Sequence, residues 1–149
     1  YFNIIIIYLH IPLTLVLLGI TMRGVAFIFR HYDAVVDKSQ DWYNRMFRFS
    51  SLITPIFLGM SFGALVSGEI VLTNDYSETT FAEIFMNPWL NIFTFLTGLF
   101  YASLCAFLAS TLLIGETSGD IRKMYSRKSA IFTIVLVIIG GMVLFYGYY

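Results

Sequence analysis

Arg23 has the most unusual combination of residue type and position in this sequence. It lies within an apolar stretch from about Ile4 to Phe29, and no other Lys, Arg, Asp or Glu lies so deep in such a stretch. A guanidinium keeps its charge, so its burial must be met by polar partners or by water. At the centre of a membrane-spanning helix an Arg costs roughly 2.5–3.5 kcal/mol, which makes such a charge a candidate functional group.

Arg30 follows Arg23 by seven residues, which is two helical turns, so the two share a helix face with Arg23 about 10 Å further into the stretch. Arg23 could extend toward lipid headgroups or form a structural ion pair, or it could line a polar, hydrated channel. No acidic residue of the chain is an obvious partner, so we expect one on another helix or subunit. Arg23 and Arg30 are our candidate proton-pathway or structural polar site. We expect no catalytic residue and no metal ligand.

Two further side chains could carry chemistry. A histidine within a span, His10, could ligate haem or relay protons, but without a second ligand we interpret it as a structural hydrogen-bonding group. Cys105 is the only cysteine, so no internal disulfide or thiolate metal site is expected, and a small buried apolar role suits it.

The elements that position these residues are membrane-spanning helices. The sequence is 58% hydrophobic and 12% charged, and four apolar stretches reach the ~20 residues needed to cross a bilayer. We place them at about 4–29, 48–72, 89–114 and 129–149. The predicted fold is all-α, a polytopic membrane protein whose four helices form part of a larger helical bundle. The chain starts without Met and ends flush with an apolar stretch, so we expect residues 1–149 to be one region of a longer subunit.

The distribution of charge predicts the orientation. All nine basic residues lie in or beside the connections 30–47 and 115–128, or in the half of the first span nearer to them, whereas the connection 73–88 contains only acidic charges. Basic connections stay in the cytoplasm, so we predict that 30–47 and 115–128 are cytoplasmic and that 73–88 is external.

Within the external connection, Thr80 to Glu83 indicates the start of a short surface helix. The formal net charge of zero argues against a nucleic-acid partner.

The second helix has small residues at a four-residue spacing, namely Gly59, Gly63 and Ser67. Such a stripe lets another helix approach closely, and we interpret it as a packing surface. Pro12 and Pro55 should kink their helices. Hydroxyl groups in the third helix, from Thr94 to Thr111, are expected to bond their own backbone carbonyls.

The residues from Arg23 to Arg30 read Arg-Gly-Val-Ala-Phe-Ile-Phe-Arg, and Pro12 lies eleven residues upstream. This run resembles subunit II of the cytochrome bd family of quinol oxidases. Further matches follow in the family's order: Trp42, Ser51, Pro55, Gly59, Gly63 and Gly68, then Leu90-Asn91-x-Phe93, Leu96-Thr97-Gly98-Leu99 and Gly115-Glu116. The likeness covers nearly the whole chain, but only the middle of the family's eight-helix subunit.

The resemblance implies a respiratory complex of the bacterial inner (plasma) membrane that oxidises quinol and reduces dioxygen to water. In that family haem b, haem d and the quinol-oxidation site belong to subunit I. Subunit II is a haem-free partner that packs beside subunit I, can hold a structural quinone and lines a hydrophilic path for protons from the cytoplasm. Membrane lipid and a small single-helix subunit are the other partners implied. The family's conserved arginine corresponds to Arg23, and Arg30 matches the second basic residue of the motif.

One residue departs from the family pattern. Ile28 stands where the family usually has an acid, so a proton-relay candidate is missing, and the path is either different, absent or altered here. Two other functions remain open from the residues alone. The chain could be part of a permease in which Arg23 binds an anionic solute, although the spans lack the deep acid that ion-coupled transporters normally need. It could also be a structural membrane scaffold with no solute path.

Overall fold

The computed structural model describes residues 2–32, 38–68, 70 and 85–148. Within these residues the chain forms four long helices and no strand: α1 (Phe2–Tyr32), α2 (Lys38–Ser67), α3 (Ile92–Glu116) and α4 (Gly119–Tyr148). The all-α prediction is therefore confirmed. Each helix contains a segment that is long and apolar enough to cross a membrane.

The helices extend beyond the apolar stretches at one end of the structure. The connections between the helices are much shorter than the expected 30–47 and 115–128, because α2 already begins at Lys38 and α4 at Gly119. Residues 38–47 and 120–128 contain no proline or glycine, so helical backbone bonding continues through the polar sequence. The chain turns between α3 and α4 at Gly119, whose φ of 68° is a left-handed conformation that glycine adopts readily.

Of the connection between α2 and α3, the structure describes residues 68, 70 and 85–91. The predicted capping box at Thr80 to Glu83 lies outside the described residues. Before α3, Leu90 N–H donates to the Met86 carbonyl at 2.9 Å, which closes a turn. The Trp89 side chain is only 6% exposed, and its ring packs edge-on against the Phe57 ring. Its ring is buried because the turn folds back onto α2 rather than lying on the surface.

Consecutive helices pack against each other in antiparallel order. Leu9, near the start of α1, shares a core cluster with Met60 and Ala64, near the end of α2. Later in α1, a Cβ at Gly19 would collide with the Thr54 side chain. In the same way α2 packs on α3 and α3 packs on α4. The described helices therefore form a row in which α1 and α4 are the outer members.

The small-residue stripe of α2 lies against α3. A Cβ at Gly59 would come within 2.9 Å of Gly98 Cα, and one at Gly63 within 3.1 Å of Thr94 Cα. These distances mean that the two backbones are nearly in contact, which maximises dispersion attraction between helices that the hydrophobic effect cannot drive together in lipid. Ser67, the third member of the stripe, donates to the Ala64 carbonyl of its own helix at 3.0 Å.

Candidate functional site

Arg23 borders an open cleft between α1 and α2. The cleft has a volume of about 450 Å³. Its lining residues are Ile20, Arg23, Gly24, Phe27, Phe47 and Thr54. Two glycines of α1 shape it: Gly19 brings α1 close to Thr54 on α2, whereas a Cβ at Gly24 would meet nothing within 4 Å. The helices are thus tightly packed on one side of Arg23, and there is open space beside it on the other.

The aromatic ring of Phe47 is the contact that α2 offers to the guanidinium. The Arg23 guanidinium carbon lies 5.6 Å from the centroid of that ring. A cation over an aromatic face gains about 0.5–1 kcal/mol when exposed and about 2 kcal/mol when desolvated. Arg23 is exposed and Phe47 half-buried, so the lower figure applies. That gain is smaller than the roughly 2.5–3.5 kcal/mol that an Arg costs at the bilayer centre, which is an upper limit for the cost nearer the end of a span.

Arg23 has no acidic partner within the part of the chain that the structure describes. There, the ion pair formed is between Lys123 and Asp120, at 3.6 Å on the exposed surface of α4. Among the described residues, therefore, no acid neutralises the positive charge that the Arg23 guanidinium brings to the cleft. The chemistry open to such a group is to attract anions and order water, since a guanidinium does not release its proton at physiological pH.

The packing shows that Arg23 is less isolated in depth than the sequence indicated. Because α1 and α2 are antiparallel, the contact between Arg23 and Phe47 puts Arg23 at nearly the same height as Arg48. The contacts of α3 with α2 and α4 show which residues lie level with Arg23 on the other two helices. These are Ser110 on α3 and, on α4, Ala130, which is just past Lys128. Arg23 therefore lies where the basic residues of the neighbouring helices begin. We call this end of the row, where α1 meets α2 and α3 meets α4, the basic end.

Hydropathy alone could not give this alignment of Arg23 with the basic residues of the neighbouring helices, because apolar residues continue along α1 to Phe29 and the alignment depends on contacts with other helices.

The other predicted site residues are not gathered at the cleft. Arg30 belongs to α1, but its side chain lies outside the described residues. Ile28, at the position of the family's usual acid, is exposed and does not line the cleft. The packing residues Gly59, Gly63 and Ser67 lie nearer the opposite end of α2. The site supported by the geometry is Arg23 with Phe47, and the sequence did not single out Phe47.

Sequence reasoning also missed the role of Thr94 at the end opposite Arg23. Thr94 is fully buried, and its hydroxyl lies 2.7 Å from the Trp89 carbonyl and accepts the Asn91 N–H at 3.0 Å. Thr94 thereby ties the start of α3 to the preceding turn. The spacing Asn91-x-x-Thr94, a relative of the capping box, is the signal that could have revealed it. The remaining α3 hydroxyls bond their own helix carbonyls, as expected, for example Thr97 to Phe93 at 2.8 Å.

The described residues do not fit a haem or a metal ion. Among them, no three His, Cys, Asp or Glu side chains come together. The one histidine whose side chain is described, His10, is exposed on α1 and does not line the cleft, and its ring has no hydrogen-bond partner among the described residues. An axial haem ligand needs an enclosing pocket, which this surface does not provide.

Comparison with known proteins places the chain in a family. A family model described as cytochrome bd terminal oxidase subunit II matches residues 1–149. No curated protein matches the chain. The family match confirms the resemblance that the Arg23 motif indicated. The chain therefore belongs to the cytochrome bd terminal oxidase subunit II family, and it is a multi-pass membrane subunit of a respiratory, haem-containing quinol oxidase complex that includes subunit I.

Proposed function

We propose that this chain belongs to the haem-free accessory subunit of the oxidase, that it supports subunit I, and that it contributes to proton uptake from the cytoplasm. The observation that carries the proposal is the Arg23 guanidinium, exposed beside an open cleft without an acidic partner in the described chain. A charge in this position is stable in an assembled membrane complex only if water or another polar group reaches it. The cleft is the route by which either would do so.

We propose that the basic end of the row faces the cytoplasm and that residues 73–88 face outward, in the inner membrane of a bacterium. All nine basic residues lie at or beyond the height of Arg23, so the positive-inside bias supports this orientation. In this orientation Arg23 stands at the cytoplasmic mouth of the hydrocarbon region. A fixed cation there would order water and hold an acidic group of the assembly in its ionised form.

Arg23 cannot itself relay protons, because a guanidinium does not deprotonate at physiological pH. Ile28 stands in place of the usual acid, and no acidic side chain among the described residues lines the cleft, so we place the group that accepts protons outside the described residues. We propose that it lies on another helix of the subunit or on subunit I, within reach of the cleft. Arg23 would then act as a positioning residue that keeps this acid and its water in place.

Support for subunit I rests on the large apolar surface of the row. Side chains such as Leu17, Phe62 and Leu112 are more than half exposed, which suits lipid or a neighbouring helix but not water.

A groove of about 340 Å³ runs along α1 and α2 past Leu9, Leu58 and Phe62. Its apolar lining suits the isoprenoid tail of a structural quinone. A small single-helix subunit could occupy a further part of this surface.

The test uses the purified complex with Arg23→Leu, Arg23→Lys and, as a matched control, Arg45→Leu, which also removes one basic-end charge. We expect Arg23→Leu to lower quinol oxidase turnover about ten-fold, equivalent to about 1.4 kcal/mol in the barrier, and to slow proton uptake in sealed vesicles. Arg23→Lys should restore part of both, and haem absorbance should be unchanged. Wild-type turnover and proton uptake in Arg23→Leu would refute the proton role and favour the scaffold alternative, in which an unpaired charge is dispensable.

The accessory role has a separate readout. Deleting the gene of this subunit should remove haem b and haem d absorbance from the purified complex, because subunit I would lose the surface that supports it. Full haem content without this subunit would refute the supporting role. The permease alternative loses its basis, since the family match assigns the chain to an oxidase.

A further inference from the structure

Four of the nine basic residues fall within the first turns of α4, between positions 122 and 128. Three side chains of this run, Arg122, Lys123 and Arg127, join Ser126 and Ala130 around an open groove of about 440 Å³. Their spacing places them on one side of the helix. Lys128 is not part of this set, because its ammonium lies over the Tyr125 ring, 5.9 Å from the centroid.

The groove has a clear excess of positive charge. Of its lining residues, Lys123 is paired with Asp120 outside the groove, with 3.6 Å between the ammonium and the carboxylate and with both side chains largely exposed. Arg122 and Arg127 have no ion-pair partner among the described residues. Two guanidiniums without an acidic partner among the described residues, beside a serine hydroxyl and an exposed lysine, offer several donors around one groove, which is the chemistry that a phosphate diester satisfies.

The same side of α4 becomes apolar beyond Ala130. Ile134, Val137 and Leu144 continue along it, and each is more than 60% exposed. From Ala130 to Leu144 is about 21 Å at 1.5 Å per residue, longer than the ~15 Å that one leaflet contributes to the hydrocarbon core. Ala130 also lies at the height of Arg23, where charge begins on the neighbouring helices. This side of α4 is therefore cationic before Ala130 and apolar after it.

We propose that this surface of α4 binds an anionic phospholipid. The phosphate lies in the groove between Arg122 and Arg127, with Lys123 and Ser126 as further donors, and an acyl chain lies along Ile134, Val137 and Leu144. Other ligands would match only one part of this surface. A soluble anion would leave the apolar stripe unused, and an apolar partner helix would leave the guanidiniums without acceptors. Basic pockets beside transmembrane helices bind acidic headgroups in this way.

The experiment uses the intact oxidase complex, delipidated in a neutral detergent and titrated with phosphatidylglycerol or phosphatidylcholine while bound lipid is counted by native mass spectrometry. We expect the wild-type complex to retain phosphatidylglycerol in preference. Arg122→Gln with Arg127→Gln should weaken this binding about 30-fold, which corresponds to about 1 kcal/mol for each basic residue near an anionic headgroup. Arg45→Gln with Lys128→Gln removes the same charge elsewhere at the basic end and should weaken binding less than three-fold.

Each contrary result would overturn the proposal. Equal weakening in the two double variants would mean that only overall charge matters. Equal retention of both lipids by the wild-type complex would exclude a headgroup site, whether or not the variants assemble. Displacement of phosphatidylglycerol by inorganic phosphate or by glycerophosphoglycerol at equal concentration would indicate a free-anion site. A crosslink from position 137 to a protein helix instead of lipid would assign the apolar stripe to a protein partner.

Discussion

The Arg23 guanidinium and the Phe47 ring face each other across α1 and α2, with 5.6 Å between the guanidinium carbon and the ring centroid. This contact does two things. It gives the cation a partial partner that needs no second charge, and it fixes the height of α1 relative to α2 beside the open cleft. Since Arg23 is itself exposed, one side of the guanidinium stays available to water or to another subunit.

Removing the aromatic face while keeping an apolar residue should weaken this contact. We expect Phe47→Leu to destabilise the complex by about 1 kcal/mol, within the range of a partly exposed cation–π pair, and Phe47→Tyr to be nearly neutral. The thermal midpoint for loss of haem absorbance from the purified complex is the measurement.

Phe49 provides the matched control for this change. It lies two residues along α2, is 66% exposed, and has no described contact with a cation. Phe49→Leu should leave the midpoint within error of the wild type. If Phe47→Leu and Phe49→Leu shifted the midpoint equally, the cation would not matter and the loss would reflect apolar area alone.

The close approach of α2 and α3 predicts a larger loss of stability. A Cβ at Gly59 would lie 2.9 Å from Gly98 Cα and 3.0 Å from the Thr97 carbonyl oxygen, and both are backbone atoms that cannot rotate away. Gly59→Ala should therefore force α2 and α3 apart and cost about 1–3 kcal/mol, measured by the same thermal midpoint.

A glycine with free space around it should behave in the opposite way. At Gly141 in α4 an added Cβ meets no atom of the described residues within 4 Å. Gly141→Ala should be neutral or stabilise by about 0.5–1 kcal/mol, because alanine loses less backbone freedom in a helix. A Gly59→Ala complex as stable as the wild type would show that the α2–α3 contact is looser than described.

The sequence predicted the four helices because the bilayer sets the length of a membrane-spanning stretch. Hydropathy marks the apolar spans and not the helix ends. The helices therefore continue beyond the spans, α1 to Tyr32 and α2 from Lys38, where the polar sequence still allows helical backbone bonding. The glycine stripe could be identified from its four-residue spacing, but only the structure shows which helix it faces.

Of the two residues of the site, the sequence identified one and not the other. Arg23 was evident from its type and surroundings in the sequence alone. Phe47 was not, because an aromatic residue among Met46, Arg48 and Phe49 carries no pattern that marks it as the partner of a distant cation. The height of Arg23 likewise depends on contacts between helices far apart in the sequence.

Thr94 should be the most sensitive hydroxyl of α3. It is fully buried, and its oxygen accepts the Asn91 N–H while its hydrogen is within reach of the Trp89 carbonyl. Thr94→Val would leave these buried backbone groups without partners, which costs about 1–3 kcal/mol. Thr111→Val is the control, because that hydroxyl contacts only the Phe107 and Leu108 carbonyls of its own helix. Equal midpoints for the two variants would contradict the role assigned to Thr94.

The orientation of the row can be tested by labelling from each side of the membrane. Ser118, between α3 and α4, and Asn87, before α3, are exposed at opposite ends of the row. In a Cys105→Ala background, Ser118→Cys should react with a membrane-impermeant maleimide only in inside-out vesicles, and Asn87→Cys only in intact spheroplasts. The reason is the concentration of Lys and Arg at the Ser118 end, which is retained in the cytoplasm during insertion. The reverse labelling pattern would place Arg23 at the outer surface, and cytoplasmic proton uptake through its cleft would then be excluded.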